Sequence, residues 1–574
     1  MRQNHRSLHM IITILVSPEG HCMILDQSTA SNNLFYLNVG QVKEPKQPSN
    51  TNAATPSKIV NSRENDYYDQ ATTSRGSARL NFTPQDRFGN ILLYQRTLSE
   101  RTKLKDITDK EKPAVDVFSA VIRYFKETLQ KKVELQGNEY GFDYDDVYWV
   151  ITVPAIWNLK AKQFMRIAAT KAGLKDNQLS LALKPEAASL YCLRFPVQVV
   201  TMSDGAKEIA SLPKGSRYLV LDLGGDTVDI TAHEVSEDGG LRELHQACGG
   251  NWGGNRVNDQ FVEFLEELFG NEVITKIRHE SPDDWLDLIL QFEIKKCSYV
   301  PGERDKIMVR IPTSFKGEYD INKDSLSVGS FADKIQLKGD RLIISADMFE
   351  GFFNESVNNI VAYVRRILDS SKVDGVGSML VVGEYSESPL IIRALKTNFS
   401  NLKVVVPTNS SLAVLSGAVI YGFEPDIVAS RVASYTYGIA KQRIWKKGDP
   451  ELKKSVCTTK RGLHWCDDVF DKHVEIGQIV KIGEFQPAKD YYPIRDDQKS
   501  AVLEFYASTE KDPKFVDDPN TELVGFFSFD LTERQEGDDG KVLVRIGVGG
   551  TELEVEVKEA STGRIFKTFC NFLP

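Results

Sequence analysis

"YLVLDLGGDTVDITAHEV", Tyr218 to Val235, decides how the rest of the chain reads. It alternates like two strands joined by a turn, yet it carries Asp222, Asp226 and Asp229 around Gly224 and Gly225. Carboxylates in a sheet core are costly unless a cation, a water or a donor meets them. A strand ending in Asp222 enters a glycine turn whose backbone N–H groups a phosphate can approach closely. A second strand leaves through Thr227 and Asp229. In that arrangement Asp222 and Asp229 would hold a hydrated magnesium ion through its waters, with no direct protein–metal bond. The alternative is a hairpin whose acids are purely structural, because short Gly-Asp motifs are common by chance.

Two further turns point the same way. "CGGNWGGNRVNDQFVEFLEEL" places glycine pairs at 249–250 and 253–254 just before a helical pattern, where free N–H groups and the helix dipole favour anions. "VVGEYSESPL" puts Gly383 at the end of a strand and Ser386 near the next helix start, a suitable place for a nucleoside. The sequence holds no P-loop and no convincing GxGxxG. Three such turns, in this order and separated by long helical segments, are far more specific together than singly.

The 574 residues suffice for several domains, and 41% hydrophobic with 26% charged residues is the composition of a globular protein. A net charge of -9 gives no footprint for nucleic acid. Seven scattered cysteines do not form a disulfide framework and favour a reducing compartment. No run approaches the roughly 18 apolar residues of a membrane span. The run Leu8 to Val16 behind Arg2 and Arg6 reads either as a short signal peptide or as a core strand; the strand and a cytoplasmic location are the better fit.

Residues 41–90 read as a flexible polar segment. Beyond Pro113, Phe118, Val121, Ile122, Phe125 and Leu129 recur at helical spacing. "DVYWVITVPAIW" is a buried strand, and "LKAKQFMRIAATKAGL" a helix ended by Gly173. A polar loop at 201–215 leads to the opening hairpin. Strands and helices interleave as far as Glu424, giving an α/β body. After Asp426 the pattern becomes strand-like. In "KVLVRIGVGGTELEVEVKEA", alternating valines and isoleucines flank the Gly549-Gly550 turn, and Glu552, Glu554 and Glu556 are expected on a solvated opposite face.

These stretches resemble the 70-kilodalton heat-shock protein family, most closely its atypical 12A/12B branch. The match runs through "VITVPAIWNLKAKQFMRIAATKAGL", "KPEAASLYC", "LVLDLGGDTVDIT", "LILQFEIKK", "VVGEYSESPLI", "SGAVIYGFEP" and "LHWCDDVFDKHV". The resemblance implies an actin-like, two-lobed ATPase fold (a duplicated ribonuclease-H-like domain) followed by a mostly antiparallel β domain. It divides the chain into 1–112, a degenerate or flexible part of lobe I; 113–215, the rest of lobe I; 216–426, lobe II, with a helical subdomain at about 255–345; and 427–574, a β-rich domain similar to a chaperone substrate-binding domain. It further implies ATP or ADP with magnesium between the lobes. Asp222, Gly224, Gly225 and Thr227 match the second phosphate motif, with Asp226 at the position of its third glycine in the same nucleotide site, and Asp229 the carboxylate that organises metal and attacking water. Gly253 and Gly254 match the glycine pair across the cleft, Glu293 and Lys296 the ribose contacts, and Gly383 and Ser386 the adenosine turn.

Departures from the pattern bear on mechanism. The family's first phosphate hairpin, acidic-Gly-Thr-Thr, has no counterpart; "MIITILVSPEGHCMILD" is strand-like but lacks a glycine pair. Asp226 replaces a glycine, Lys184 an acid, Glu384 a second glycine, and Cys297 an arginine over adenine. The family's catalytic lysine has no direct counterpart, and Arg96 is its nearest stand-in. A carboxylate about 4 Å from a triphosphate costs on the order of 4 kcal/mol at an effective dielectric near 20, nearly a thousandfold in affinity. Lys184 would offset part of this by pairing with Asp226 or a phosphate.

The sequence therefore predicts a chaperone-like binding protein with a weak or silent nucleotide site. Its β domain would take a polypeptide client or receptor tail, and co-chaperones are possible partners. An active ATPase chaperone using Asp229 and Asp222 is the alternative, and a sugar kinase on the same scaffold a distant third. Cys457, His464, Cys466 and His473 are spaced C-x6-H-x-C-x6-H, which fits no common structural zinc pattern.

Overall fold

The computed structural model describes residues 11–16, 21–26, 33–38, 98–105, 111–135, 147–195, 197–201, 207–210, 212–315, 331, 333–456, 464–493, 498–532 and 539–569. The polar segment 41–90 lies outside the described residues.

A first sheet is built from β1 (Ile11–Val16), β2 (His21–Asp26), β3 (Asn33–Asn38), β4 (Tyr148–Val153) and β5 (Leu179–Leu183), in the order β3-β2-β1-β4-β5. Helix α1 (Ala114–Leu135) buries the five residues singled out by helical spacing. Pro154 follows β4, and α2 (Leu159–Lys171) starts at Asn158, whose side chain accepts the Ala161 N–H at 2.9 Å. Gly173, at φ +88°, turns the chain out of α2. Helix α3 (Lys184–Arg194) leaves directly from β5.

The second sheet repeats this plan. In both sheets a three-strand antiparallel meander is followed by two strands added parallel to its first member. Here β6 (Arg217–Leu223), β7 (Val228–Val235) and β8 (Leu241–Gly250) form the meander. Before β6, residues 197–201 and 207–210 pair as an antiparallel hairpin whose second strand falls within the expected polar loop 201–215. Between β8 and the added strands come α4 (Gly254–Phe269), α5 (Asn271–Glu280), α6 (Pro282–Ser298), a small sheet of β9 (Lys306–Arg310), β10 (Ile335–Lys338) and β11 (Arg341–Ser345), and α7 (Asn354–Leu368). Their core is aromatic, with Phe261 and Phe292 stacked at 4.0 Å. The added strands are β12 (Ser378–Val382) and β13 (Lys403–Val405), with α8 (Pro389–Asn398) between them and α9 (Ala413–Phe423) after.

Helices α3 and α9 hold equivalent places in the two repeats, and they pack on one another in a core shared by both sheets. At their crossing Gly417 lies against Ala187 so closely that a Cβ on Gly417 would stand 1.6 Å from the Ala187 carbonyl oxygen.

The second sheet does not stop at residue 426. Strand β14 (Val428–Val432) adds parallel to β8. Beyond β15 (Thr436–Ile444), β16 (Lys454–Val456) and β17 (His464–Val474), strand β18 (Ile479–Lys481) adds antiparallel to β14. The remaining strands are β19 (Lys489–Tyr491), β20 (Ser500–Ser508), β21 (Thr521–Asp530), β22 (Val542–Gly547), β23 (Glu554–Glu559) and β24 (Ile565–Phe569). They complete two antiparallel sheets, β16-β17-β15-β20-β21 and β19-β22-β23-β24, on one core.

The β22/β23 hairpin forms in the expected register, with Val544 opposite Val557 and Ile546 opposite Val555. Its acidic residues correct the sequence reading of a solvated face, because Glu552 and Glu556 are buried. Glu552 takes two N–H groups of Arg166 at 2.6 Å each, and Glu556 takes Arg545 Nε at 2.6 Å and Lys567 Nζ at 3.3 Å. Alternation set the face correctly, but cations cover it: Arg166 from the first-sheet half lies on Glu552, and Arg545 and Lys567 from the two flanking strands lie on Glu556.

Candidate functional site

Register brings the two key carboxylates together. Asp222 lies directly opposite Asp229 across β6 and β7, and the turn between them closes with the Gly224 N–H donating to the Thr227 carbonyl at 3.0 Å. Directly opposed residues have Cβ atoms about 4.5–5.5 Å apart on one face. Both acids are buried. On the other side of β6, Val382 of β12 lies beside Asp222, and the chain turns at Gly383 with φ +88°. A Cβ on Gly383 would meet the Leu223 carbonyl oxygen at 2.4 Å and Asp222 Oδ1 at 2.7 Å, so glycine is required there by both angle and space.

Asp229 Oδ1 accepts the Ile156 N–H at 2.9 Å from the loop after β4, and Thr227 Oγ1 donates to Oδ2 at 3.3 Å. Lys184, the first residue of α3, is buried and acts on both carboxylates. Burial pushes the Asp222 carboxyl up to about 7; Lys184 opposes this, while Asp229 and Glu384 add to it. Burial also raises Asp229, against the Ile156 N–H, Lys184 and the Thr227 hydroxyl.

A carboxyl held above its unfolded value stabilises the fold most below the unfolded pKa and loses that contribution as pH rises through the folded one. For Asp222 that window runs from the ordinary 3.8 to about 7. Asp222→Asn should therefore melt above the wild type at pH 8, with the difference shrinking toward pH 4 in a thermal-shift series. A difference independent of pH would refute the assignment.

The second glycine turn packs on the first. N–H groups of Gly253, Gly254 and Asn255 donate to the carbonyls of Asp226, Gly224 and Gly225 at 3.1, 3.0 and 2.8 Å. A Cβ on Gly253 would lie 2.2 Å from the Gly225 oxygen. The Asp226 side chain is buried, with Oδ1 accepting Asn255 Nδ2 at 2.7 Å, so this carboxylate meets an amide at the α4 start. Lys296 Nζ reaches the Gly254 carbonyl at 2.9 Å, Asn258 Oδ1 at 3.2 Å and Glu293 Oε2 at 2.6 Å. Glu293 also accepts Asn258 Nδ2 at 2.8 Å, and Cys297 Sγ lies 3.6 Å from its other oxygen. Ser386 Oγ bonds the Gly383 carbonyl at 2.5 Å and Ser410 Oγ at 2.7 Å, holding the turn from beneath.

The residues expected at the nucleotide site, Arg96 apart, thus lie in one neighbourhood around two packed turns. Sequence reasoning did not single out Ile156, Asn255, Asn258 or Tyr385. Tyr385 is buried beside Gly254, with its ring 5.9 Å from Lys296 Nζ. Its only signal was an aromatic residue two positions past a strand-ending glycine. Arg96 lies outside the described residues, as does the connection 17–20 between β1 and β2, where the first phosphate hairpin was sought. The strands on either side of it pair as β6 and β7 do. Cys457 is also outside the described residues; Cys466 is buried, and His473 Nε2 bonds the Tyr491 hydroxyl at 2.9 Å. Among the described residues no group of three potential metal ligands occurs.

A second buried polar cluster joins this region to the antiparallel sheets. Arg431 of β14 makes a two-pronged ion pair with Glu186 of α3, at 2.6 and 2.7 Å, and donates to the Gly549 carbonyl at 2.8 Å. Glu243 of β8 accepts the Val432 N–H at 2.7 Å, and burial pushes its carboxyl up to about 8.

No protein-family model matches the chain. It is 28% identical to heat shock 70 kDa protein 12A of Mus musculus, covering 92% of this chain and 87% of that protein. It is 29% identical to heat shock 70 kDa protein 12B of Homo sapiens, covering 88% of this chain and 82% of that protein. The chaperone protein DnaK of Anaplasma marginale is 27% identical across 48% of this chain and 37% of its own length.

Proposed function

We propose that this chain, a homologue of heat shock 70 kDa proteins 12A and 12B within the 70-kilodalton heat-shock protein family, is a chaperone-like protein with a degenerate nucleotide cleft. On this reading the two repeated sheets are the lobes of an actin-like fold. The antiparallel sheets bind a polypeptide client or receptor tail, with co-chaperones as further partners, in the cytoplasm. Among the described residues no helix is long and apolar enough to cross a membrane.

The observation that carries the reading is the meeting of Asp222, Asp229 and Gly383 with the Gly224 and Gly253 turns, in a place where Lys296, Glu293, Asn255 and the first N–H groups of α4 already have protein partners. The three N–H groups of a lysine ammonium are matched at Lys296 by three protein acceptors. The first N–H groups of α4, which would otherwise attract a phosphate, are given to the neighbouring turn. Glu384 adds negative charge beside Asp222. The family binds ATP or ADP with magnesium; the residues present here do not fit a magnesium triphosphate, and no hydrolytic step is assigned to them.

Calorimetric titration with ATP and ADP in millimolar magnesium should give no submillimolar binding, and a coupled phosphate assay no turnover. Submillimolar affinity together with turnover abolished by Asp229→Asn would establish the active chaperone instead.

A further inference from the structure

A cavity of about 660 Å³ opens where the first-sheet half meets the β22/β23 hairpin, a volume in the range of small-molecule sites. Its lining holds three carboxylates, Asp176, Glu552 and Glu554, against one cation, Arg166. That cation is already engaged: Nε and Nη2 donate to Glu552 at 2.6 Å each, and Nη1 donates to Asp176 at 2.7 Å. Glu554 is left over. Among the described residues no group bonds or pairs with its carboxylate, whose Oε1 lies 3.8 Å from where a Cβ on Gly550 would stand. The side chain is half-buried, and burial holds its carboxyl above the ordinary range. Lys567 opposes that rise and Glu552 adds to it, but the Lys567 ammonium pairs with Glu556 at 3.3 Å. Thr551 is the second unmet group. It lines the same cavity at 8% exposure, and its hydroxyl has no hydrogen-bond partner among the described residues, which is rare for a polar group so buried. Two tyrosines, Tyr148 and Tyr421, and two leucines of β5, Leu179 and Leu181, complete the lining used here. The Tyr148 hydroxyl is bonded to Ser180 Oγ at 2.5 Å, so its ring is what it has to offer.

We propose that this cavity binds an organic cation, a primary ammonium on an aliphatic stem, with Glu554 and Thr551 receiving the ammonium and the tyrosines and leucines the stem. An ammonium carries three donors and no acceptor, which suits a free carboxylate beside a free hydroxyl. Ring faces attract the same charge, and burying Glu554 without a cation is costly. An anion would meet a lining with an excess of carboxylates, and a neutral ligand would leave Glu554 unmatched. The bound cation would touch both β5 and the β22/β23 hairpin, and so hold that junction together. A lysine side chain of a polypeptide and a free diamine share this chemistry. The site lies apart from the nucleotide cleft, and neither reading depends on the other.

Calorimetric titration of the full chain at constant ionic strength should show saturable binding of cadaverine and of Nα-acetyl-lysine amide, each displacing the other. Whichever binds more tightly names the source, a free diamine or a polypeptide side chain. Glu554→Gln should weaken both by about tenfold or more, the worth of a hydrogen bond to a charged group. Thr551→Val should weaken them by a smaller factor. Pentanediol, of the same stem length but uncharged, should not bind. Without ligand, Glu554→Gln should melt no lower than the wild type, because its carboxylate holds nothing in the fold. The proposal is overturned if neither amine saturates, if Glu554→Gln binds them undiminished, or if the diol binds as well as the diamine. A lower-melting Glu554→Gln would overturn it too, by giving that carboxylate a structural partner.

Discussion

Replacing Arg431 with leucine is expected to destabilise the protein by about 3–5 kcal/mol, the cost of leaving one member of a buried ion pair without its partner. Both Arg431 and Glu186 are buried, and the pair is bonded at two points, so water has little access to the stranded carboxylate. The loss extends beyond the pair, because the Gly549 carbonyl gives up its donor and that buried acceptor adds its own penalty. The double variant Glu186→Gln/Arg431→Leu should recover most of the stability, since well-packed neutral groups often replace a buried pair at little cost. Urea unfolding of both variants separates the cases. If the single variant lost less than about 1 kcal/mol, the value of an exposed pair, this junction would not be the buried clamp described above.

The second large effect is steric. Gly417→Ala should cost about 3 kcal/mol or more, at the upper end of overpacking penalties. The methyl group would stand 1.6 Å from the Ala187 carbonyl oxygen, a backbone atom that no side-chain rotation can move. Relief requires α3 and α9 to separate, and with them the core the two sheets share. Gly351→Ala is the matched control. Gly351 ends the short helix Ala346–Gly351, nothing lies within 4 Å of its Cβ position, and alanine there should gain up to about 1 kcal/mol. Thermal melts of opposite sign are therefore expected for the same substitution at two sites. Equal losses would mean that the helix crossing is looser than its geometry.

The three glycine turns were legible because their information is local: alternation gives the strands, and glycine gives the turns. The β6/β7 register followed from the hairpin itself, and the amphipathic α1 and α2 from their spacing. What escaped the sequence is what depends on partners remote along the chain. Glu552 read as solvated because alternation assigns a face and says nothing about what lies over it, and Arg166 is hundreds of residues upstream; for Glu556 the covering cations, Arg545 and Lys567, sit on the flanking strands. Lys184 was visible as a departure from the family pattern, but that its charge opposes the rise of the buried Asp222 and Asp229 carboxyls depends on α3 packing on β6 and β7. "IVASRV", just past the boundary set at 427, belongs to a region that reads as strand-like, but alternation does not say which sheet it joins; in the fold it lies between β8 and β18.

That strand has a consequence for anyone who would cut the protein in two. A fragment ending before Val428 leaves the rim of β8 with open backbone hydrogen-bonding groups, and one starting after Val432 does the same to β18. Raw rims of this kind recruit other chains. Each separated half should clump unless Val428–Val432 travels with it, and a synthetic peptide of that sequence, added back, should restore solubility to either one.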